Sequence, residues 1–162
     1  MDSVIVRDYH PKDCAETACL FFDTVHSVNA VDYSPEQLNA WAPQDRDLEE
    51  WNCSFLKHRS LVAVWKDKIV GFADFAEPEY LDRLYVHREF QHQGVATLLC
   101  DHLEGSAAVQ KLITHASITA RSFFEHRGYA VVKEQQVERL GIWMTNFVME
   151  KILNRPDHQN QI

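Results

Sequence analysis

Between Tyr80 and Glu104 the apolar residues change their spacing across one short polar loop, and few local plans satisfy that switch. Tyr80-Leu81-Asp82-Arg83-Leu84-Tyr85-Val86 reads as a strand, with Tyr80, Asp82 and Leu84 on one face. After Gln91-His92-Gln93-Gly94, the residues Val95, Leu98, Leu99 and Leu103 recur at the spacing of an amphipathic helix. Strand, glycine turn and helix therefore follow one another directly. The first N–H groups of a helix have no partner within it, and the positive end of its dipole lies there. Gly94 at that point keeps a Cβ out of the approach, an arrangement that suits a pyrophosphate. The turn is not a nucleotide-triphosphate P-loop, because no Gly-Lys-Ser/Thr follows. Nor does it carry the three glycines of a dinucleotide fingerprint.

The remaining pattern places this unit inside a larger sheet. Val4-Ile5-Val6 reads as a first strand, and Pro11-Lys12-Asp13 opens a helix with Ala15, Ala18, Cys19, Phe22 and Val25 at helical spacing. Ser34 is a candidate N-cap with Pro35 at the first helical position, and a further helix is expected at about Leu48–His58. Leu61–Trp65 and Ile69–Phe75 are strands around the polar turn Lys66-Asp67-Lys68. Downstream come a strand at Leu112–Ile118, a helix at Ala120–His126 stopped by Gly128, and closing strands near Val131–Arg139 and Ile142–Lys151. Strand, helices, three strands, helix, strand, helix and two strands make an α/β (α+β) plan with a mixed sheet. One domain over residues 1–154 is expected, with a frayed tail at 155–162 that lacks any hydrophobic pattern.

Composition excludes several classes. Sixteen Lys and Arg against twenty-four Asp and Glu give a net charge of −8, which disfavours nucleic-acid binding. No apolar run reaches the roughly 18–20 residues of a membrane span, and Met1–Arg7 has no signal-peptide plan. The four cysteines form no C-x-x-C pair, so reduced thiols in a cytoplasmic chain are expected. No metal site is expected either: His87 and His92 lie on a loop, while Cys100 and His102 diverge on a helix. Against the acidic background, Arg83, His87, Arg88 and His92 crowd one stretch, with Arg121, His126 and Arg127 expected nearby. An anionic ligand needs such a local exception.

Gln91-x-x-Gly94-x-Ala96 resembles the phosphate-binding signature of the GNAT-type N-acetyltransferases. The strand end Leu84-Tyr85-Val86 and the block Ala120-Arg121-Ser122-Phe123-Phe124-Glu125-His126-Arg127-Gly128-Tyr129 are similar to other elements of that family. The resemblance covers nearly the whole chain, and implies a twisted central sheet flanked by helices whose strands splay to form a cleft for acetyl-coenzyme A. It gives Gln91, His92, Gln93, Gly94, Val95, Ala96 and Thr97 the pyrophosphate, and Leu84, Tyr85 and Val86 the pantetheine arm. A backbone N–H near Leu84 or Val86 would face the acyl oxygen as it gains charge.

Two positions depart from the family pattern. Phe124 stands where a tyrosine usually protonates the leaving sulfur, and Ser117 where an asparagine often contacts the cofactor arm. Tyr80, Tyr85 and Ser122 are hydroxyls that could act in place of the missing phenol. Asp82, on the cleft side of its strand beside Leu84, is the expected general base, with Asp74, Glu77 and Glu79 as lesser candidates. His26, at the end of the first helix, adjoins the region that lines the acceptor site in this family. The catalytic candidates are thus Asp82, Tyr80 and His26, and the cofactor candidates include Ser117 and Phe124. Direct transfer to a primary amine in a ternary complex is expected, since no cysteine lies in an activated setting. Asp45, Asp47, Glu49 and Glu50 in the variable segment Val25–Leu56 hint at a cationic acceptor. A monomer or homodimer is expected. The rival reading is a domain that binds acyl-coenzyme A but transfers little, acting as a sensor.

Overall fold

The computed structural model describes residues 3–76 and 78–153, so Glu77 and the expected tail lie outside the described residues. Seven strands form one sheet: β1 Ile5–Asp8, β2 Arg59–Trp65, β3 Lys68–Ala76, β4 Tyr80–Val86, β5 Lys111–Ser117, β6 Ala130–Arg139 and β7 Ile142–Ile152. They lie in the order β1-β2-β3-β4-β5-β7-β6. Neighbours are antiparallel except for β4 and β5, which are parallel and joined through a helical crossover. Both tight hairpins follow from local chemistry. Lys66 and Asp67 adopt positive φ between β2 and β3, as do Leu140 and Gly141 between β6 and β7, which matches the right-handed twist of the strands they join.

Helices cover both faces. α1 Cys14–Ser27, α2 Pro35–Trp41 and α3 Leu48–Leu56 pack against one, around Phe21, Val25, Trp51, Phe55 and Phe72. α4 Val95–Ser106 and α5 Arg121–His126 cover the other, around Leu81, Leu99, Leu103, Leu112 and Met149. Sequence explains the helix starts. Ser34 and Gln37 form a reciprocal capping box with Pro35 behind it, and Asp47 Oδ1 accepts from the N–H groups of Glu49 and Glu50 at 3.0 and 3.2 Å. Asp47 is therefore committed to holding α3.

Two features set the centre of the sheet. The register pairs Asp74 with Arg83 but Phe75 with Leu81, so Asp82 is an extra residue bulging from β4. In addition, β4 and β5 pair only at Tyr80–Ile113 and Leu81–Thr114 before they part. The bulge and the parting coincide. It also breaks the simple alternation expected along this strand.

α4 sits close above β3 because Gly71 has no side chain. An added Cβ would lie 2.9 Å from Val95 Cγ1, 3.2 Å from Leu99 Cδ1 and 3.2 Å from the Tyr85 carbonyl oxygen. Gly71→Ala is therefore expected to cost about 1–3 kcal/mol of stability, the range for overpacking a filled core. Denaturant unfolding measures this, and an unchanged midpoint refutes the close-packing account.

Candidate active site

Where β4 leaves β5, a cavity of about 250 Å³ opens through the sheet. Tyr80, Asp82, Leu84, Tyr85 and Val86 line it from β4; Ser117 and Phe124 line it from the opposite wall, and Gln91 and Ala96 from the α4 end. The ladder identifies the free backbone groups. His87 N–H reaches Val70 O at 2.8 Å, so, counting back by twos, Tyr85 and Arg83 share β3, while Leu84 and Val86 turn their N–H and C=O groups toward the cleft. β5 pairs with neither. The Val86 carbonyl is answered by Gln91 Nε2 at 2.7 Å and Thr24 Oγ1 at 3.1 Å, so the Gln91 side chain ties strand to turn. Thr119 lines the same cleft with a buried Oγ1 that has no partner.

The opposite wall is held by Tyr33. Its buried hydroxyl donates to Thr145 O at 2.7 Å and accepts from Ile118 N–H at 2.9 Å, bridging the end of β5 to β7. Ser117 Oγ accepts from Ala120 N–H at 3.1 Å and so shapes the next turn. At the mouth, Gly94 has φ +85° and precedes α4 without a side-chain cap, leaving the helix's first N–H groups exposed to a ligand. A Cβ there would meet no protein atom within 4 Å; the backbone conformation requires glycine, and the space in front stays clear. His92 also takes positive φ, while His92, Gln93 and Thr97 are exposed and Val95 is buried beneath the turn.

The positive cluster is smaller than the sequence implies. Arg83 turns away and forks onto buried Asp74, with Nε at 3.0 Å from both carboxylate oxygens. Arg121 pairs with Glu125 at 2.7 Å, and Arg127 with Glu104 and Asp101. His87, Arg88 and His92 are left around the turn. Burial first, and then Lys68, lowers the His87 pKa.

A second cavity, of about 430 Å³, opens on the α2–α3 side. Trp41, Asp82, Tyr85 and Arg139 line both cavities, so Asp82 stands where they meet. Its partner is not Arg83: His58 Nδ1 lies 3.8 Å from Asp82 Oδ2 and 2.7 Å from Asp74 Oδ2. Burial, and then the charge of Asp74, holds the Asp82 carboxyl above the usual carboxylate range. Asp74 is fully buried and engaged by both Arg83 and His58, which leaves it no role as a base. His58, Asp74 and Asp82 bring three ligand atoms within 4.8 Å, yet the Arg83 guanidinium already supplies the positive charge that Asp74 faces. Tyr80 lies edge-on to His115 at 5.1 Å, and burial, then Asp82, pushes its hydroxyl up to about 12.

His26 lines neither cavity. Its Nε2 donates to Ala42 O at 2.8 Å and its ring lies 4.2 Å from Phe22, so it joins α1 to the end of α2 as a strut. Phe124 is buried against Tyr129, with ring centroids 5.0 Å apart. Thr24, Tyr33, Thr119 and Arg139 were not apparent as site residues from sequence, because each reaches the cleft through tertiary packing and none belongs to a motif.

A family model described as an acetyltransferase (GNAT) domain matches residues 29–151. The chain belongs to the GNAT family. It is 36% identical to the uncharacterized N-acetyltransferase YafP of Escherichia coli over 158 residues, covering 98% of this chain and all of that one. Among solved structures, a GCN5-related N-acetyltransferase from Rhodopseudomonas palustris, also described as a class-II aminotransferase, is 35% identical, with a TM-score of 0.91 over 94% of this chain and 98% of that one. The PaiA N-acetyltransferase of Thermoplasma acidophilum, solved with coenzyme A, shares the fold at 18% identity, with a TM-score of 0.75 over 93% and 99% of the two chains. The protein is thus an acyltransferase of the N-acetyltransferase class. The GNAT fold accounts for the mixed twisted sheet and its parted strands. No helix among the described residues is long and apolar enough to cross a membrane.

Because the folded state raises the Asp82 pKa, folding favours the protonated carboxyl, and ionisation at neutral pH takes stability away. Asp82→Asn is therefore expected to be more stable than the parent at pH 7, with the gap closing as pH falls through the folded-state pKa. Denaturant midpoints across that range measure it; an Asn variant less stable at neutral pH contradicts the assignment.

Proposed function

We propose that this protein moves an acetyl group from acetyl-coenzyme A directly to a primary amine, with donor and acceptor held together. The position of Asp82 on both cavities carries this reading: one carboxylate touches the space for the donor and the space for the acceptor. The cleft suits the donor on its own chemistry. The uncapped start of α4 at Gly94 offers N–H groups to a pyrophosphate, and the open edge of β4 offers the extended polar arm its missing strand partner. Thr119 Oγ1 supplies a further unpartnered group. When bound, acetyl-coenzyme A supplies an activated acyl carbon.

The residues around it divide the remaining work. Asp82 takes the proton from the attacking amine, directly or through one water, and its raised pKa brings it closer to the working range of a base. The N–H groups of Leu84 and Val86 face the cleft as donors for an acyl oxygen that gains charge. Tyr80 and Tyr85 line the same cleft and carry the hydroxyl that Phe124 lacks. The Tyr80 phenol, raised to about 12, remains protonated at neutral pH. Transfer without a covalent enzyme intermediate fits the thiols: Cys100 is on the buried face of α4, and burial pushes its pKa up to about 12. The acidic run once suggestive of a cationic acceptor has a structural account in part, since Asp47 caps α3.

Two variants separate the roles. Asp82→Asn is expected to lower kcat by about 10²–10⁴-fold, the contribution of a positioned general base, and to leave coenzyme A affinity unchanged. In the parent, the acid limb of kcat/KM should lie above the ordinary carboxylate range. Gly94→Val is expected to abolish coenzyme A binding in calorimetry, because φ of +85° is strained for a β-branched residue and its side chain enters the space before the turn. Full turnover by Asp82→Asn across pH removes the base; undiminished binding by Gly94→Val removes the turn.

A further inference from the structure

Two arginines share a cavity with Asp82 and form no ion pair among the described residues. The Arg46 guanidinium packs over the rings of Phe21 and Trp51, at 4.9 and 4.7 Å, and its one hydrogen bond is a long one of 3.4 Å to Trp41 O. Arg139, at the end of β6, lies 6.0 Å over Trp41, and its guanidinium forms no hydrogen bond among the described residues. Among the described residues no carboxylate pairs with either; exposed Arg59 and Arg88 are likewise unpaired, but they line neither cavity, whereas Arg7, Arg83, Arg121 and Arg127 are all paired. Both line the 430 Å³ cavity, and Arg139 also lines the cleft.

The local acids do not explain them. Asp82 faces His58 and feels the charge of Arg139 without forming an ion pair with it, Asp47 holds the N-terminus of α3, and Asp45 and Glu50 are exposed at the rim without reaching Arg46 as an ion pair. Arg83 in the same cavity is spent on Asp74. A half-buried guanidinium with most of its five N–H donors unfilled is costly unless a ligand answers it. Burial first, and then Arg83, lowers the Arg46 pKa, and the charges of Tyr85 and Glu50 offset this only in part.

We propose that Arg46 and Arg139 form an anion subsite for the acceptor, so that the acetylated amine belongs to a molecule that also carries a carboxylate, of the amino-acid class. The amine faces Asp82 at the junction of the two cavities, and the carboxylate takes the open donors of the guanidinium groups. Stacking on Phe21 and Trp51 holds the Arg46 fork rigid, which favours a planar, bidentate partner over a point charge. This inference rests on the acyl-transfer reading above and narrows its acceptor from any primary amine to a zwitterion.

The test is thiol release from acetyl-coenzyme A with the protein amino acids, their matching carboxamides and polyamines, alongside calorimetry with coenzyme A. Some amino acids should be acetylated with kcat/KM at least about tenfold above their carboxamides, the discrimination expected of a charge-assisted hydrogen bond. R46Q and R139Q should each raise KM for such an acceptor by about tenfold to a hundredfold, with kcat less affected, and R46Q, which lies outside the donor cleft, should leave coenzyme A affinity unchanged. Arg139 is exposed, so R139Q folds whatever happens to R46Q, and R46K tests the need for a fork. The proposal is overturned if carboxamides or polyamines serve as well as amino acids, or if amino acids are not used while coenzyme A binds. It also fails if KM does not move in the folded variants. Failure of coenzyme A to bind, with no thiol released by any amine, defeats the acyl-transfer reading instead.

Discussion

The site depends on two parallel strands that hold hands for two residues and then separate. Parallel β4 and β5 pair at Tyr80–Ile113 and Leu81–Thr114, and the bulge at Asp82 turns the chain away at that point. Buried backbone groups without partners are expensive, so a gap in the middle of a sheet has to be maintained. Here other elements maintain it. Thr24 from α1 and Gln91 from the following turn answer the Val86 carbonyl, and Tyr33 answers the Ile118 N–H across the opening. The groups left over, the N–H groups of Leu84 and Val86 and the Leu84 carbonyl, face a cavity. The fold keeps the gap open with the same chemistry that it makes available to a ligand.

Charge is distributed to match. The molecule is acidic, but its central cations are not spread evenly over the surface. On the far side of α4, buried Glu104 gathers Arg127 and Lys151, tying the helix to α5 and β7. Behind Asp82, buried Asp74 gathers Arg83 and His58. These two nodes neutralise themselves and fix the walls. Along the opening lie the uncapped start of α4 at one end, and Arg46 and Arg139, unpaired among the described residues, at the other.

Periodicity carries much of the architecture in the sequence. The helical spacing of Val95, Leu98, Leu99 and Leu103 after Gly94 locates α4, and the strands on either side of Lys66-Asp67 announce a hairpin; both readings rest on contacts within a few residues. The site is less legible, because its geometry rests on register. A one-residue bulge leaves no compositional mark, so alternation along β4 hides that Asp82 is the extra residue. For the same reason Arg83 looks like part of a basic patch, although the hairpin sets it opposite Asp74. His26 sits beside the variable segment in the chain, yet its bond to Ala42 uses it to brace two helices. Arg46 and Arg139 lie on different elements, and only the closed sheet brings them to one cavity.

Gly71 has a consequence beyond stability. It lies on β3, outside both cavities, and the contact it permits seats Val95 and Leu99 directly on the sheet, the first a single residue and the second five residues beyond the glycine that opens α4. The distance from the helix start to the open edge of β4 is thus fixed by steric contact between uncharged groups. Ionic strength and acidity, which alter how strongly an anion is attracted to the turn, leave the length of that ruler unchanged.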